Sequence, residues 1–470
     1  MKKVLLSILV LATIFCSGGF AQSGPNSFSI ALDPKLKDVR TLSCGEEGFC
    51  IYTEKRTRKI HQITLTHCDT LLQKQWDTTM VLPDEWKQHQ IFYENGALVI
   101  LFRIYQRSKF TDKGVFMFYH PKDKTFETQE VSGLPTIAGL ELWHQFEGNV
   151  LFASMEKNGD NVWFLTKGST SPQPFSFTRE NPGYVLDVKV DTAQRNVVIC
   201  CTSGNRTMYF ETDFLGKSSF ANIINESASN AQWIPVGKGH SVLMLYYENN
   251  ETFYMHPINI LNHKVIPNEE IYCADILAPK SLPSTAKSKR TIIITPHSNV
   301  SFLPTYAQCA NGRIYCITEL FYPEYYNYYN GWYVESRFHG YRYERADVHF
   351  FDTNGVFLTN TTFPYNEEYS LHSTILKKLN VNVLPDSTTL LYTMSKYELT
   401  TMLLDEKLKI KDPVRTSDIP LTGANNSLRT TRVDAIEPWY GQNRFLLTAY
   451  KIRPGTTQRI GLIVNKMEYW

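Results

Sequence analysis

The alternation of apolar and polar residues predicts short β-strands along almost the whole chain. The pattern is clearest at 147–165, EGNVLFASMEKNGDNVWFL, where apolar runs at 149–155 and 161–165 flank a polar turn at 157–160. An Asn-Gly pair between two apolar runs supplies the positive φ angles that a tight hairpin turn requires. This stretch therefore predicts a β-hairpin, and the same pattern recurs before and after it.

Units of this kind follow one another at a spacing of about 45 residues, most of them with four predicted strands. Their first predicted strands begin at residues 39, 90, 141, 184, 231, 305, 375 and 433. The last unit has three predicted strands, at 433–438, 444–452 and 459–464. An unpaired sheet edge invites aggregation, and the isolated strand FSIAL at 28–32 is available to complete this unit.

This series of four-stranded units resembles a β-propeller, in which the units are blades arranged in a ring. The resemblance covers residues 22–470 as one domain. It implies an all-β fold of seven or eight four-stranded blades, with the ring closed by the N-terminal strand. Trp76-Asp77 is a lone Trp-Asp pair where a WD-repeat protein has one in most blades, and sialidase, kelch and calcium-loop patterns are missing. The resemblance therefore extends to no specific propeller family.

One segment between the fifth and sixth units departs from the pattern. Residues 278–290, APKSLPSTAKSKR, combine prolines, serines and like charges that oppose strand pairing. We expect a disordered loop there. The following IIIT run at 292–295 fits either an extra strand or an irregular crossing between blades.

The N-terminus has the features of a cleavable export signal. Lys2 and Lys3 precede an apolar run at 4–15, and the small residues Gly19 and Ala21 precede a cleavage position. We expect residues 1–21 to be removed and the protein to be periplasmic, cell-envelope-associated or secreted. The apolar run is shorter than the ~20 residues of a membrane span, and no later stretch is longer.

Charge gives no indication of a nucleic-acid or membrane-surface partner. Without the two lysines of the signal, 46 basic and 46 acidic residues remain. A balanced chain has no global field that attracts polyanions.

Two cysteine pairs stand at matching places in the first and sixth units. Cys44 and Cys50 lie in SCGEEGFCIYTE, and Cys309 and Cys316 lie in AQCANGRIYCITE. Each pair flanks a hairpin turn, so a cross-strand disulfide and a pair of small buried thiols are both open interpretations. The spacing does not fit a zinc knuckle, and we expect no metal and no cofactor.

Common catalytic motifs are missing, which favours a binding protein over an enzyme. Two patterns with chemical potential remain, and both have simpler structural explanations. Histidines recur near the end of the third strand in four units, where they could converge as a metal or acid-base ring: His67, His120, His256 and His349. The vicinal cysteines 200 and 201 could be redox-active, but alternation along VVICC places one on each face of a strand.

The most unusual composition is an aromatic insertion at 321–343, FYPEYYNYYNGWYVESRFHGYRY, with eight tyrosines, one tryptophan and two phenylalanines. It stands where other units have a short turn between the second and third strands. Tyrosine offers a flat apolar face and a hydroxyl at small entropic cost, which suits a partner protein or a sugar ring. Packing as a cap over the channel or a neighbouring blade is the structural alternative. The candidate contact residues are Tyr325, Tyr326, Tyr328, Tyr329, Trp332, Tyr333, Arg337, His339, Tyr341 and Arg342.

These observations predict an exported β-propeller that binds a partner of the cell envelope or exterior through the aromatic insertion. The partner would be a protein or a carbohydrate, and the chain a monomer or a component of an envelope complex. The alternative is a carbohydrate-active hydrolase or lyase, with acids and histidines gathered at the channel mouth. Acidic residues such as Glu324 and Glu335 in an open pocket would favour that alternative.

Overall fold

The structure of the chain, a computed structural model, consists almost entirely of β-strands. It describes residues 27–33, 35–56, 61–136, 139–155, 159–175, 183–192, 194–249, 252–268, 272–273, 301–329, 334–370, 377–395, 398–419, 431–440 and 444–468. The signal-like segment, the 278–290 loop and the IIIT run lie outside these residues. No helix among the described residues is long and apolar enough to cross a membrane.

Across the described ranges the strands form eight antiparallel sheets, and each sheet is one blade. The first four blades are β2 (Leu36–Ser43), β3 (Phe49–Arg56), β4 (His61–Cys68), β5 (Lys74–Leu82); β6 (Trp86–Glu94), β7 (Ala97–Gln106), β8 (Lys109–His120), β9 (Thr125–Val131); β10 (Leu140–Phe146), β11 (Asn149–Ser154), β12 (Asn161–Leu165), β13 (Gln173–Pro174); and β14 (Tyr184–Asp191), β15 (Asn196–Ser203), β16 (Arg206–Asp213), β17 (Ser218–Ile224). The predicted hairpin at 147–165 is the β11–β12 pair.

The other four blades follow in chain order, and the last takes its fourth strand from the N-terminus. They are β18 (Asn230–Gly237), β19 (His240–Asn249), β20 (Thr252–Leu261), β21 (Lys264–Pro267), with β22 (Tyr272–Cys273) also on β20; β23 (Ser301–Ala310), β24 (Arg313–Tyr329), β25 (Val334–Asp352), β26 (Phe357–Ser370); β27 (Asn380–Val383), β28 (Thr389–Ser395), β29 (Glu398–Leu404), β30 (Ile410–Asp418); and β31 (Thr431–Pro438), β32 (Arg444–Ile452), β33 (Arg459–Glu468), β1 (Ser27–Ala31).

The blades form a closed ring, with the first strand of each blade nearest the axis. First strands of neighbouring blades contact one another in the series β2, β6, β10, β14, β18 and β23. Buried apolar side chains form eight clusters, one at each of the eight blade-to-blade interfaces, including the one between blades 8 and 1. The ring of eight blades confirms the predicted propeller.

The N-terminal strand closes the ring, as the sequence predicted. β1 pairs antiparallel with β33, with Phe28 opposite Val464 and Ile30 opposite Leu462. Phe28 is buried and its ring meets that of Phe49, in blade 1, edge to face at 6.2 Å. The first strand of the chain therefore completes blade 8 and also packs against blade 1.

Continuous apolar second strands follow from this architecture, because both faces of a blade are covered by neighbours. In β11, Val150 and Phe152 pack in the cluster shared with blade 2, whereas Leu151 and Ala153 pack in the cluster shared with blade 4. A hairpin with both faces apolar cannot stand alone in water. Each blade is therefore stabilised by the two beside it.

Side-chain carboxyl groups join neighbouring blades at several interfaces by accepting backbone N–H groups of the next blade, and three of the four are buried. A hydrogen bond of this kind contributes about 0.5 to 1.5 kcal/mol net. The joints are Glu94 to Gln145 N at 2.6 Å, Asp160 to Val185 N at 2.9 Å, Asp187 to Trp233 N at 2.8 Å, and Glu319 to Leu379 N at 2.8 Å.

The last of these joints corrects one predicted boundary. The apolar pattern placed the first strand of blade 7 at 375–384, but β27 begins at Asn380. The backbone N–H groups of Lys378 and Leu379 donate to the Glu319 carboxylate instead of to a neighbouring strand. A side chain from blade 6 thus takes the hydrogen bonds that would have lengthened the strand.

Candidate binding site: the arm of blade 6

The aromatic insertion is a continuation of the blade as a β-ribbon. The sequence indicated that the second strand of blade 6 ends near Leu320 and the third resumes near Ala346, but β24 and β25 run on to Tyr329 and from Val334. Residues 321–343 are called the arm below. At ~3.3 Å per residue the nine residues of β24 from Phe321 onward extend about 30 Å.

The arm lies at one particular end of the ring. Because the four strands of a blade run up and down in turn, the turn between the second and third strands is at the same end as the connection to the next blade. The Glu319 bond to Leu379, in the connection from blade 6 to blade 7, agrees with this placement. The arm therefore extends from the face that carries the blade-to-blade connections.

Two β-bulges shape the arm. Leu320 pairs with Arg345 and Phe321 with Tyr343, so Glu344 is an extra residue in β25. A second extra residue is His339, because Glu324 pairs with Gly340 and Tyr325 with Phe338. Bulges bend a strand and increase its twist. The first stands where the arm leaves the blade, and the second stands within the arm beside Gly340, whose φ of 147° favours glycine.

A cluster of aromatic rings anchors the base of the arm. Phe321 and Tyr343 are both buried, with ring centroids 5.7 Å apart. Tyr341 meets Phe321 edge to face at 5.5 Å, and Tyr365, from β26, meets Tyr343 at 6.1 Å. Edge-to-face pairs of this kind contribute about 0.5 to 1.5 kcal/mol beyond area burial. The base of the arm is thus part of the blade 6 core.

The third strand of the ribbon supports only this base. β26 pairs with the arm at Tyr343, Arg342 and Tyr341, whose partners are Glu368, Tyr369 and Ser370. Between Tyr322 and Tyr329 the described part of β24 pairs with β25 on one edge. A two-stranded ribbon is marginally stable by itself. The outer half of the arm therefore depends on its own cross-strand side-chain contacts or on a partner.

The structure brings most of the predicted contact residues together on this ribbon. Tyr325, Tyr326, Tyr328 and Tyr329 belong to β24, while Arg337, His339, Tyr341 and Arg342 belong to β25. Trp332 and Tyr333 lie outside the described residues, as do the side chains of the predicted residues from 325 to 339. Register places Tyr326 opposite Arg337 and Tyr328 opposite Glu335. These four positions share one face of the ribbon because strand residues alternate.

Exposure rises from the base of the arm outward. Tyr343 is 1% exposed, whereas the Phe338 side chain, nearer the tip, is 40% exposed. Phe338 keeps an edge-to-face contact with Tyr341, with ring centroids 5.2 Å apart. An aromatic ring half open to solvent on a projecting ribbon is the arrangement that a contact surface requires.

A buried carboxyl lies just below the arm. Glu319 is fully buried and accepts N–H groups of Lys378 at 2.9 Å and Leu379 at 2.8 Å. Burial raises the pKa of Glu319 to about 7, despite these hydrogen bonds. Burial also lowers the pKa of Lys377, whose ammonium lies 4.3 Å from the ring centre of Tyr306. Sequence analysis missed this cluster, although Glu319 follows Thr318 in the ITE motif that matches YTE, with Glu54, in blade 1.

The recurring histidines do not form a ring. They lie on third strands, away from the first strands that surround the axis. His67 bonds to the Glu47 carbonyl at 2.6 Å, His256 to the Asn268 carbonyl at 3.0 Å, and His349 to the Thr318 hydroxyl at 3.0 Å. Burial lowers the pKa of His349 to about 3, so that imidazole is neutral. Among the described residues no three metal-ligating side chains converge.

The vicinal cysteines occupy opposite faces of β15, as alternation predicted. Cys200 packs between blades 4 and 5, and Cys201 between blades 3 and 4. Burial raises the pKa of both thiols, to about 12 for Cys201. Both behave as core residues.

A cleft of about 170 Å³ lies between blades 2 and 3, at the end of the ring opposite the arm. Its polar side chains are already bonded across the interface. Gln129 donates to the Thr166 and Ser169 carbonyls, and Lys167 pairs with Glu127 at 3.1 Å. This cleft is a joint between blades.

Comparisons with known proteins agree with a propeller and identify no family. No family model matches the chain, and no curated protein matches it. Among solved structures, the β-propeller domain of the Trilobed protease from Pyrococcus furiosus aligns with a TM-score of 0.39 and 7% identity, over 82% of this chain and 95% of that one. The Dos1 propeller aligns with a TM-score of 0.42 and 8% identity, over 93% and 96%.

A prolyl endopeptidase aligns with a TM-score of 0.39 and 6% identity, over 89% of this chain and 54% of that one. This chain therefore spans about half the length of that enzyme. Likeness at this level carries no argument about activity.

Proposed function

We propose that this protein is an exported β-propeller that binds a partner protein of the cell envelope or exterior through the arm of blade 6. The observation that supports the proposal is the arm itself. The second strands of the other blades end by the tenth residue, whereas β24 has 17 residues and β25 has 19. Ordering a ribbon of this length costs conformational entropy, and a binding role would explain its presence.

The chemistry of the arm suits protein recognition. Tyrosine and arginine are among the residues enriched in the energetically dominant part of protein interfaces. Tyr326, Tyr328 and Arg337 share one face of the ribbon by register. The buried base, with Phe321 and Tyr343, holds that face on a rigid blade, which reduces the entropic cost of binding.

Among the described residues the outer part of β24 has a partner strand on one edge only, which favours a protein over a carbohydrate. Beyond Phe321 the described β24 residues have β25 on one side, and β23 pairs no farther than Phe321 on the other. An extended segment of a partner can add to such an edge through main-chain hydrogen bonds. A sugar hydroxyl can bond to a single backbone group, but a sugar lacks the regular series of N–H and C=O groups that pairs along a strand.

The described buried acids support binding rather than hydrolysis. Burial raises the pKa of Glu319, Asp187 and Asp347, the behaviour expected of many catalytic acids. Each is occupied by a structural bond: the first two join blades, and Asp347 accepts from the Thr362 hydroxyl at 2.7 Å. These carboxyl groups stabilise the ring.

Replacement of the arm tests the contact surface. The variant replaces residues 324–340 with an Asn-Gly turn between Pro323 and Tyr341. Because Pro323 and Tyr341 are paired across the ribbon, the aromatic base is kept. We expect an unchanged thermal transition and loss of the partner captured from envelope extract by the wild-type chain. Retained capture would reject the binding assignment. Capture of purified envelope glycan in place of protein would transfer the assignment to a carbohydrate.

Point variants give a finer test of the ribbon face. Tyr326→Ser with Tyr328→Ser alters two positions on one face, and Asn327→Ser between them is the matched control on the other. We expect the double variant to weaken capture at least about tenfold, since each lost hot-spot residue costs on the order of 1 kcal/mol or more. Equal effects of the control and the double variant would contradict a face-specific contact.

Export is tested separately from binding. The complete chain is expressed in a secretory host, and the N-terminal residue of the released protein is determined. We expect Gln22 to be the first residue. A cytoplasmic product that retains residues 1–21 would reject export and leave the binding experiment unaffected.

A further inference from the structure

The two similar cysteine pairs of blades 1 and 6 have different surroundings. Cys44 and Cys50 are both buried, and the Cys44 thiol donates to the Cys50 sulfur at 3.6 Å. Cys309 is partly exposed, and Cys316 is buried in the same cluster as Tyr246 of blade 5. The same sequence pattern therefore places sulfur beside sulfur in one blade and beside a tyrosine in the other.

The turn of blade 1 explains the difference. Cys44 lies beyond the end of β2, at the start of a 3₁₀ turn formed by residues 45–47, with φ −109° and ψ 24°. Gly48 closes this turn with φ 102°, a conformation that favours glycine. In blade 6 a simple Asn311-Gly312 turn keeps Cys309 in strand register, opposite Ile314. The 3₁₀ turn thus moves Cys44 out of strand geometry and toward Cys50.

We propose that Cys44 and Cys50 form a disulfide in an oxidising environment, whereas Cys309 and Cys316 remain thiols. The sulfur atoms must approach by about 1.5 Å to reach the bond length of a disulfide. Both side chains lie in the same cluster between blades 1 and 2, so the completed bond would be buried in the interface of the folded chain. The inference concerns a modification site outside the arm and holds whether or not the arm binds a partner.

The reaction is an exchange with a small-molecule or protein disulfide. The thiolate of one cysteine attacks the oxidant's disulfide and releases one thiol, and the second cysteine then displaces the mixed disulfide and releases the other. Two thiols of the chain become one disulfide while one disulfide of the oxidant becomes two thiols. Cys44 and Cys50 are 1% and 0% exposed in the folded chain, so an oxidant cannot reach them there. The hydrogen bond from Cys44 and burial also raise the pKa of Cys50. Oxidation therefore takes place before blades 1 and 2 close over the pair.

The position of the bond gives it a structural consequence at the ring closure. Trp439, from blade 8, donates its indole N–H to the carbonyl of Gly48 at 2.9 Å. The disulfide would fix the turn that contains Gly48 to β3. A closed loop of this size restricts the unfolded chain, and for a chain of this length we expect a rise in Tm of about 2 to 3 °C.

Peptide mapping tests the proposal because trypsin separates the two pairs differently. Cys44 and Cys50 fall in one peptide, residues 41–55, whereas Cys309 and Cys316 fall in two, 291–313 and 314–337. The full chain is exported from a secretory host, once with its own N-terminus and once behind a heterologous signal, then denatured and alkylated without reductant. We expect peptide 41–55 to carry no alkyl group and to be lighter by two hydrogen atoms than the peptide with two thiols. Both blade 6 peptides should be alkylated.

Alkylation of both cysteines in peptide 41–55 from folded, exported protein would overturn the proposal, as would a cross-link between the two blade 6 peptides. A thermal measurement gives an independent readout. Unfolding and refolding in reductant, which opens the buried pair, should lower the Tm of the wild-type chain and leave the Tm of the Cys44→Ser variant unchanged. An equal response of the two proteins would also reject the disulfide. Cys309→Ser is the matched control and should respond like wild type.

Discussion

Truncation of one side chain at the ring closure should destabilise the whole propeller. Phe28 is 6% exposed and lies in a cluster with Leu72 and Trp439. Phe-to-Ala substitutions in protein cores cost about 3 to 5 kcal/mol, and the edge-to-face contact with Phe49 accounts for up to about 1 of these. Because β1 is an outer strand, we expect Phe28→Ala to lower the free energy of unfolding by about 3 kcal/mol.

Urea unfolding followed by tryptophan fluorescence measures this effect, since Trp439 belongs to the same cluster. Ser29→Ala, at the next residue of β1, is the matched control and should change the free energy of unfolding by less than about 0.5 kcal/mol. If Phe28→Ala unfolds at the same urea concentration as the control, the N-terminal strand does not hold the ring together. A shortened chain without residues 27–31 should then also unfold like wild type.

Three other substitutions follow from single contacts. The Glu319→Gln variant should lack a pH dependence that the wild type shows. Because burial raises the pKa of Glu319 to about 7, the free energy of unfolding of the wild type should fall by about 3 kcal/mol as pH rises from 4.5 to 7. The free energy of unfolding of the variant should not fall in this way. Gly48→Ala should cost about 3 kcal/mol or more in thermal unfolding, because φ is 102° and its Cβ would lie 2.0 Å from the Cys68 carbonyl oxygen. Trp439→Phe should cost about 1 to 2 kcal/mol, because it leaves the Gly48 carbonyl without its indole donor.

Each of these has an outcome that contradicts it. A constant difference between Glu319→Gln and wild type from pH 4.5 to 7 would show that the carboxyl titrates alike in folded and unfolded chains. Wild-type stability of Gly48→Ala would show that the 3₁₀ turn relaxes freely. Gly45→Ala is the control for the positive φ alone, because φ is 59° there but nothing lies within 4 Å of the added Cβ, and it should cost about 1 kcal/mol. If Trp439→Phe melts like the wild type, the indole hydrogen bond to Gly48 does not stabilise the ring closure.

Local pattern was enough to predict the blades. An Asn-Gly pair between apolar runs, as in the sequence 157–160, is typical of a tight hairpin turn. The two-residue alternation of apolar and polar positions in a strand can be seen in a stretch of about six residues. The missing fourth strand of the last unit predicted the role of residues 28–32, because a three-stranded unit among four-stranded blades leaves an edge that this isolated strand can pair with. Such features depend on short-range geometry and on burial of apolar side chains, and both are visible in one sequence.

Long-range hydrogen bonds were not visible in the same way. The strand predicted from residue 375 begins at Asn380, because Glu319, about 60 positions earlier, accepts the backbone N–H groups of Lys378 and Leu379. The β-bulges at His339 and Glu344 depend on how two strands fit a twisted blade, and no residue type predicts their positions. The continuation of β24 through a tyrosine-rich run was hidden because the run lacks the alternation of apolar and polar positions that marks a strand, although aromatic residues are enriched in strands.

The sequence by itself determined the all-β class, the repeat, the closure by the N-terminal strand and the location of the unusual surface, because each follows from local side-chain pattern and the need to bury it. The tertiary structure alone decided the number of blades, the projecting form of the arm, and which cysteine pair lies within reach of a disulfide. These depend on distances between residues far apart in the chain or on the exact path of a turn. Cys44 and Cys309 occupy similar motifs that differ by one residue in the spacing to the second cysteine, and the 3₁₀ turn beside Cys44 shows what that difference does to the path of the chain.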